Sequence, residues 1–287
     1  MLKLIECPRD AMQGIKPFIP TNLKAKYLNQ LLKIGFDTID FGSFVSPKAI
    51  PQMKDTAELL KLADLSDTPS KLLAIVANKR GANDACQFSE IDYLGYPFSI
   101  SETFQMRNTN ATIEESLGRL EDIQNLCNQH GKTLVVYLSM GFGNPYGDDW
   151  NAEIVQKWIQ KLSDMDIKIM QLSDTIGVAS PQSISYLFSN LIPEYPNVEI
   201  GAHLHTRADN WLEKVVAAYE SGCRRFDGAL KGYGGCPMAK DELVGNMPTE
   251  NMLQYFLSKG ELSQIDQANF QSALQMAQSV YTYSQTH

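Results

Sequence analysis

No stretch of the chain is basic for more than two residues; Lys79-Arg80 and Arg224-Arg225 are the cationic pairs. A nucleic-acid partner needs a clustered basic face to neutralise phosphates, and a net charge of −8 points the other way. The pairs read as ordinary solvated charges. The five cysteines, Cys7, Cys86, Cys127, Cys223 and Cys236, are odd in number, and no two form a CxxC. That argues against a disulfide framework or a structural zinc site, and for a reducing compartment. No apolar run approaches the ~20 residues that span a bilayer. The opening Met1-Leu2-Lys3-Leu4-Ile5-Glu6 meets a carboxylate before any signal-peptide core develops. These absences lead to the expectation of a cytoplasmic protein with neither a nucleic-acid nor a membrane partner.

What is present is an ordinary globular balance, 44% hydrophobic and 20% charged over 287 residues. At that length a single core buries enough surface to need no staples. Short apolar runs alternate with amphipathic segments. Leu2–Glu6, Phe36–Phe41, Leu72–Ala77, Tyr96–Ile100, Thr133–Leu138, Ile167–Leu172, Val198–His203 and Arg225–Leu230 read as strands. Most lack clean alternation, as parallel strands covered on both faces should. The weakest is Tyr96–Ile100, which contains Pro97.

Between them, Leu23, Tyr27, Leu31 and Ile34 recur at helical spacing before Gly35. Thr112-Ile113-Glu114-Glu115 has the pattern of a capping box, and Ser180-Pro181 opens another helix. Trp211, Val215 and Ala218 mark one more, ended by Gly222. Such alternation builds either a closed barrel or an open doubly wound sheet. Periodicity alone does not separate them. No G-x-G-x-x-G follows the first strand, and eight units of roughly 30 residues suit an α/β fold of the (β/α)8 TIM barrel kind. We expect one catalytic domain over residues 1–287, with the barrel over about 2–257. A C-terminal helical extension would cover about 258–287, packed on the barrel or on a partner subunit.

Polar residues bunch at the carboxyl ends of these strands, where barrel enzymes keep their sites. Arg9, Asp10 and Gln13 follow the first. Asp40, Ser43 and Lys48 lie at and beyond the second, and Asp174 follows the sixth. His203-Leu204-His205 is the sharpest signal, because residues two apart on a strand point the same way. Such a pair is either a metal site or two packing histidines. Asp10 and Asn246 can fall at the same barrel end, and imidazole with hard oxygen donors suits Mg²⁺ or Mn²⁺. Arg9-Asp10 is either a surface ion pair or two residues with separate roles. Gly232–Pro237 is either a tight loop around a buried Cys236 or a mobile loop that brings a thiol to substrate.

The residues resemble the 3-hydroxy-3-methylglutaryl-CoA lyase family. The resemblance rests on Arg9-Asp10, Ser43-Phe44-Val45-Ser46-Pro47-Lys48 with Pro51-Gln52-Met53, and Asp174-Thr175-Ile176-Gly177-Val178. His203-x-His205, Gly234-Gly235-Cys236-Pro237 and Gly245-Asn246 complete it, in that order. It implies a divalent metal (Mg²⁺ or Mn²⁺) on Asp10, His203, His205 and Asn246, and a small-molecule acyl-CoA substrate touched by Gln13, Ser43 and Lys48. It implies catalytic roles for Arg9 on an enolate oxygen and Cys236 in acid–base transfer, with Asp174 arranging the site and Asp40 counted among the catalytic residues. A homo-oligomer, a dimer, is expected. The chain departs from the family in four places. Ala11-Met12-Gln13-Gly14-Ile15 replaces G-L-Q-N-E, and Arg207-Ala208-Asp209 follows Thr206 where D-T-x-G is usual. Asn144 replaces a cysteine, and Asp40 replaces a glutamate and is expected to reach the site poorly or through water. The competing readings are a Claisen-type condensing synthase or related aldolase of the same superfamily, using acetyl-CoA or a 2-keto acid, and a degenerate barrel that binds an acyl-CoA or metal without turnover.

Overall fold

Eight apolar runs become eight parallel strands that close on themselves. In the computed structural model, which describes residues 1–235 and 244–283, these are β1 (Lys3–Glu6), β2 (Thr38–Ser43), β3 (Lys71–Ile75) and β4 (Tyr93–Ser99). They continue as β5 (Thr133–Ser139), β6 (Ile169–Asp174), β7 (Glu199–Thr206) and β8 (Arg225–Gly228). Each strand pairs with the next and β8 pairs with β1, so the barrel leaves no open edge. The helices are α1 (Pro8–Met12), α2 (Thr21–Leu31), α3 (Thr56–Lys61), α4 (Lys79–Cys86), α5 (Glu102–Thr109) and α6 (Ile113–His130). After them come α7 (Ala152–Asp164), α8 (Pro181–Glu194), α9 (Trp211–Glu220), α10 (Thr249–Ser258) and α11 (Gln267–Tyr281).

The local signals act as their chemistry dictates. Thr112 Oγ1 accepts from Glu115 N at 3.0 Å while Glu115 Oε2 accepts from Thr112 N at 2.9 Å, closing the capping box of α6. Ser180 and Ser183 do the same for α8. Most strand boundaries differ from expectation by up to three residues, and the shifts in β4 and β7 and one added strand bear on the site. β4 begins three residues earlier than Tyr96, and Pro97 is tolerated because the β3 pairing stops at Ile75↔Gly95. β7 extends through His205. A two-residue antiparallel strand, β9 (Gly245–Asn246), pairs with it. The tail packs on its own barrel: Tyr281 of α11 meets Tyr27 of α2 edge-on at 5.8 Å, and Phe270 meets Phe36 at 6.3 Å. No described helix is long and apolar enough to cross a membrane.

Residues level with each other in parallel strands share a face, which sorts the barrel interior. Leu73, Ile75, Tyr93, Val135, Tyr137 and Ile169 form a small apolar cluster there, separate from the larger core between barrel and helices. Ser173 is level with His203, Gln171 with Gly201, and Ile5 with Asp227, so these too share the interior. A register shift between Asp40 and Gly42 lets both Asp40 and Ser43, three residues apart, face inward from β2.

Candidate active site

At the end of β1 the chain turns into the single turn of α1, with Pro8 at the first helical position, where its missing N–H is harmless. This turn buries Arg9 and Asp10 at the barrel mouth, so the exposed-ion-pair alternative is excluded. His203 and His205 point inward from β7 beside them, their ring centroids 5.4 Å apart. Ligand atoms of Asp10, His203 and His205 all lie within 4.8 Å of one another.

The tautomer of His205 follows from its partner. Its Nδ1 lies 3.0 Å from the Thr175 carbonyl, which can only accept, so Nδ1 carries the proton and Nε2 is bare. That Nε2 is buried and has no hydrogen-bond partner among the described residues. Burial, together with neighbouring His203, lowers the His205 pKa and keeps its ring neutral. His203 Nδ1 lies 3.0 Å from Asp227 Oδ2; burial opposes its charge most strongly, but the hydrogen bond and the charges of Asp227 and Asp10 together raise the pKa. Burial likewise works against the Asp10 carboxylate, yet Arg9 and the two histidines hold its pKa below the usual range.

Asn246, level with His205 across the β7–β9 pair, donates from Nδ2 to Asp10 Oδ2 at 2.7 Å and to the Tyr233 carbonyl at 2.8 Å. Turning this amide would set its oxygen against two others, an arrangement that only an intervening cation makes favourable. An orphaned imidazole nitrogen, a carboxylate and a convertible amide form a donor set that fits a divalent ion. Gly234 (φ +95°) runs against this group, and a Cβ there would lie 2.6 Å from Asn246 Nδ2 and 2.9 Å from the Asp10 carbonyl. Cys236 lies outside the described residues.

Asp40 overturns the expectation that it reaches the site poorly or through water. It accepts directly from Arg9, from Nε at 3.1 Å to both its oxygens and from Nη2 at 2.5 Å. The barrel closes tightly enough here for the shorter side chain to suffice. Burial nonetheless pushes the Asp40 carboxyl up to about 6 against the pull of Arg9. Arg9 Nη1 donates to Asp10 at 2.9 Å and to Gln13 Oε1 at 3.1 Å. Gln13 Nε2 completes a triangle to Asp10 at 2.8 Å. Asp174, expected to arrange the site, lies outside the cavity lining. It accepts from the buried Lys214 Nζ at 2.7 Å, and Lys214 also donates to the His205 carbonyl at 2.9 Å. It braces the strand end that carries His205.

A cavity of about 860 Å³ opens from the triad. Arg9, Gln13, Ser43 and Lys48 line it, with Ser139, Ser173 and Thr175 adding hydroxyls near the histidines. Ile15, Ile50 and Phe104 give it apolar walls, and exposed Lys16, Lys48 and Lys54 stand at its rim. Asp10 is the only carboxylate among its described lining residues. Residues 14–18 form one wall, and the segment is clamped by Gln52, which the sequence offered only as part of the Pro51-Gln52-Met53 motif. Gln52 accepts from Ile19 N at 2.8 Å and donates to the Ile15 carbonyl at 2.7 Å. Asn144 has its own work in place of the cysteine. Its side chain holds the 144–148 turn, accepting from Tyr146 N at 3.0 Å and donating to the Asp148 carbonyl at 2.8 Å. Asp148 in turn caps α5 through Thr103 N at 3.0 Å.

Comparison with known proteins agrees with this geometry. The HMGL-like family model matches residues 3–280. Hydroxymethylglutaryl-CoA lyase YngG of Bacillus subtilis is 33% identical over 263 residues, 89% of this chain and 84% of that protein. The 3-hydroxy-3-isohexenylglutaryl-CoA/hydroxymethylglutaryl-CoA lyase of Pseudomonas aeruginosa is 31% identical over 262 residues, 91% of this chain and 86% of that one. Among solved structures, an HMG-CoA lyase from Acinetobacter baumannii in complex with coenzyme A and 3-methylmalate superposes with a TM-score of 0.87. It is 29% identical, with 97% of this chain and 90% of that chain covered.

Proposed function

Because the chain belongs to the HMGL-like family, we propose that it is a carbon–carbon lyase that splits 3-hydroxy-3-methylglutaryl-CoA, or a close 3-hydroxyacyl-CoA, into acetyl-CoA and a 3-keto acid. The observation that carries this reading is the buried, bare Nε2 of His205 converging with His203 and Asp10 at the cavity floor. Asp10, His203, His205 and Asn246 would hold a divalent ion, Mg²⁺ or Mn²⁺. Bound there, it would supply Lewis-acid polarisation of substrate oxygen.

The chain's own groups do the rest. The tertiary hydroxyl gives its proton to the Cys236 thiolate, the C2–C3 bond breaks, and its electron pair moves into the thioester as an enolate. C3 becomes the ketone carbon of acetoacetate, and Cys236 returns the proton to C2, so that atoms and charge balance. A free thiol near pKa ~8.5 is suited to both transfers once tuned by its site. Arg9, locked by Asp40, stabilises the enolate oxygen. Gln13 and Ser43 contact the acyl portion. The rim lysines give an otherwise acidic protein a cationic approach suited to coenzyme A phosphates. The test is to give purified protein Mg²⁺ or Mn²⁺ and a panel of 3-hydroxyacyl-CoAs. Equimolar acetyl-CoA and keto acid from one of them is expected; release from none would overturn the proposal.

A further inference from the structure

We propose that Asp227, held in turn by Gln171, is a positioning residue of the metal centre that fixes His203 with its Nε2 turned to the ion. This rests on the metal reading above. Asp227 faces the barrel interior from β8, below the triad, and is 3% exposed. Its Oδ2 takes the His203 Nδ1 proton at 3.0 Å, which leaves Nε2 as the nitrogen with a free lone pair. Its other oxygen, Oδ1, accepts from Gln171 Nε2 at 2.5 Å. Both carboxylate oxygens are thus engaged in fixed directions, and the imidazole cannot turn about its ring axis without breaking this chain of bonds.

The sequence makes room for the arrangement at Gly201. A Cβ there would stand 1.8 Å from Gln171 Oε1, so the bare backbone of β7 lets the Gln171 amide lie across the interior beneath His203. Tyr137 packs edge-on against the His203 ring at 5.5 Å and limits its remaining freedom. Carboxylates placed behind a ligating histidine in this way orient the ring and strengthen it as a donor, and losing one typically costs 10–100-fold in metal affinity. His205 is served by a backbone carbonyl instead, so the two imidazoles are set independently.

The experiment measures metal binding without substrate. Wild type, Asp227→Asn and Gln171→Met are titrated with Mn²⁺, free ion being read by electron paramagnetic resonance. Co²⁺ complexes are compared by visible absorption, and circular dichroism and thermal melts verify the fold. Asp227→Asn is expected to bind Mn²⁺ ~10–100-fold more weakly and to shift the Co²⁺ bands. Gln171→Met should shift the same bands with a smaller loss of affinity. His203→Ala provides the reference for a missing ligand. Wild-type affinity and spectrum in both folded variants would overturn the proposal, as would a wild type that binds no divalent ion. A wild type that binds the ion but cleaves no acyl-CoA would sink the lyase reading and leave this one standing.

Discussion

Arg9→Gln separates a transition-state role from a positioning role. Of the five N–H groups of Arg9, Nε–H and one on Nη2 go to Asp40, and the two on Nη1 go to Asp10 and Gln13. One Nη2–H has no partner among the described residues and is left for the proposed enolate oxygen, in a residue that lines the cavity. Removing a single oxyanion donor costs ~3–4 kcal/mol in the transition state, or roughly 10²–10³-fold in kcat. KM should change less, since the charge it meets develops only as the bond breaks. The substitution also strips Asp40 of its cation. Breaking a buried pair ordinarily costs ~3–5 kcal/mol, most of it for the charge left behind. Asp40 already sits at about 6 because burial outweighs Arg9, so without Arg9 it takes up a proton near neutrality and the penalty shrinks. The raised folded pKa makes the neutral form the stable one, so the variant should lose stability as pH rises through that pKa. Steady-state kinetics at saturating Mn²⁺ and urea melts below and above neutrality read both effects. An unchanged kcat with a raised KM would refute the oxyanion role.

Burial pushes the Glu6 carboxyl up to about 8 from 4.5, where it accepts from Thr249 Oγ1 at 2.6 Å and Leu230 N at 2.9 Å. Between these values the native state holds a proton that the unfolded chain has lost, so wild type should weaken by up to ~1.4 kcal/mol per pH unit as pH rises. Glu6→Gln should remove that slope in denaturant melts; parallel curves would contradict the assignment. Lys16→Glu with Lys48→Glu should lower kcat/KM by about tenfold at low ionic strength and much less at high salt, because exposed charges are screened. A salt-independent loss would point to packing. Cys236 should react with an alkylating agent faster than Cys7, Cys86, Cys127 and Cys223, all of which are buried, and a substrate analogue with metal should protect it. Cys236→Ser should keep metal binding and lose most turnover; a slow, ligand-insensitive Cys236 in mass-spectrometric mapping would make it structural.

Strand order was legible because each strand declares itself by a local apolar run followed by a helix with its own caps; closure was not written in those runs, and its expectation rested on the eight units and the missing G-x-G-x-x-G. The paired histidines were legible for a local reason too, since a period of two is set by the strand itself. What stayed hidden depends on register between distant strands. Nothing near Asp227 in sequence announces that it lies behind His203, although a charged residue at alternate positions 225 and 227 of an apolar run hints at an inward polar face. Gln52 and Lys214 were invisible because their partners, backbone atoms of Ile15 and Ile19 for Gln52 and the Asp174 carboxylate for Lys214, meet them only in the folded chain. Asp40 was misjudged because the length of a carboxylate decides nothing until the distance across the barrel is known. β9 is two residues long, too short for any periodicity, yet it sets Asn246 beside His205.

The proposed metal-holding groups and the residues that orient them come from elements that only a closed barrel brings together. Asp227 stands on β8, Thr175 follows β6, Asn246 stands on β9, and Asp10 follows β1, which closes the ring against β8. An unfolded or opened chain keeps the side chains but loses the shared point at which they meet. Divalent ions should therefore bind the folded state almost exclusively and stabilise it by mass action, by about 2.7 kcal/mol at a concentration one hundred times Kd. Thermal melts across a Mn²⁺ titration should show Tm rising with the logarithm of concentration in wild type and hardly moving in His203→Ala. A Tm independent of Mn²⁺ in wild type would mean that the triad does not hold an ion. An equal rise in both proteins would place the binding elsewhere, and either result would remove the foundation on which the lyase chemistry is built.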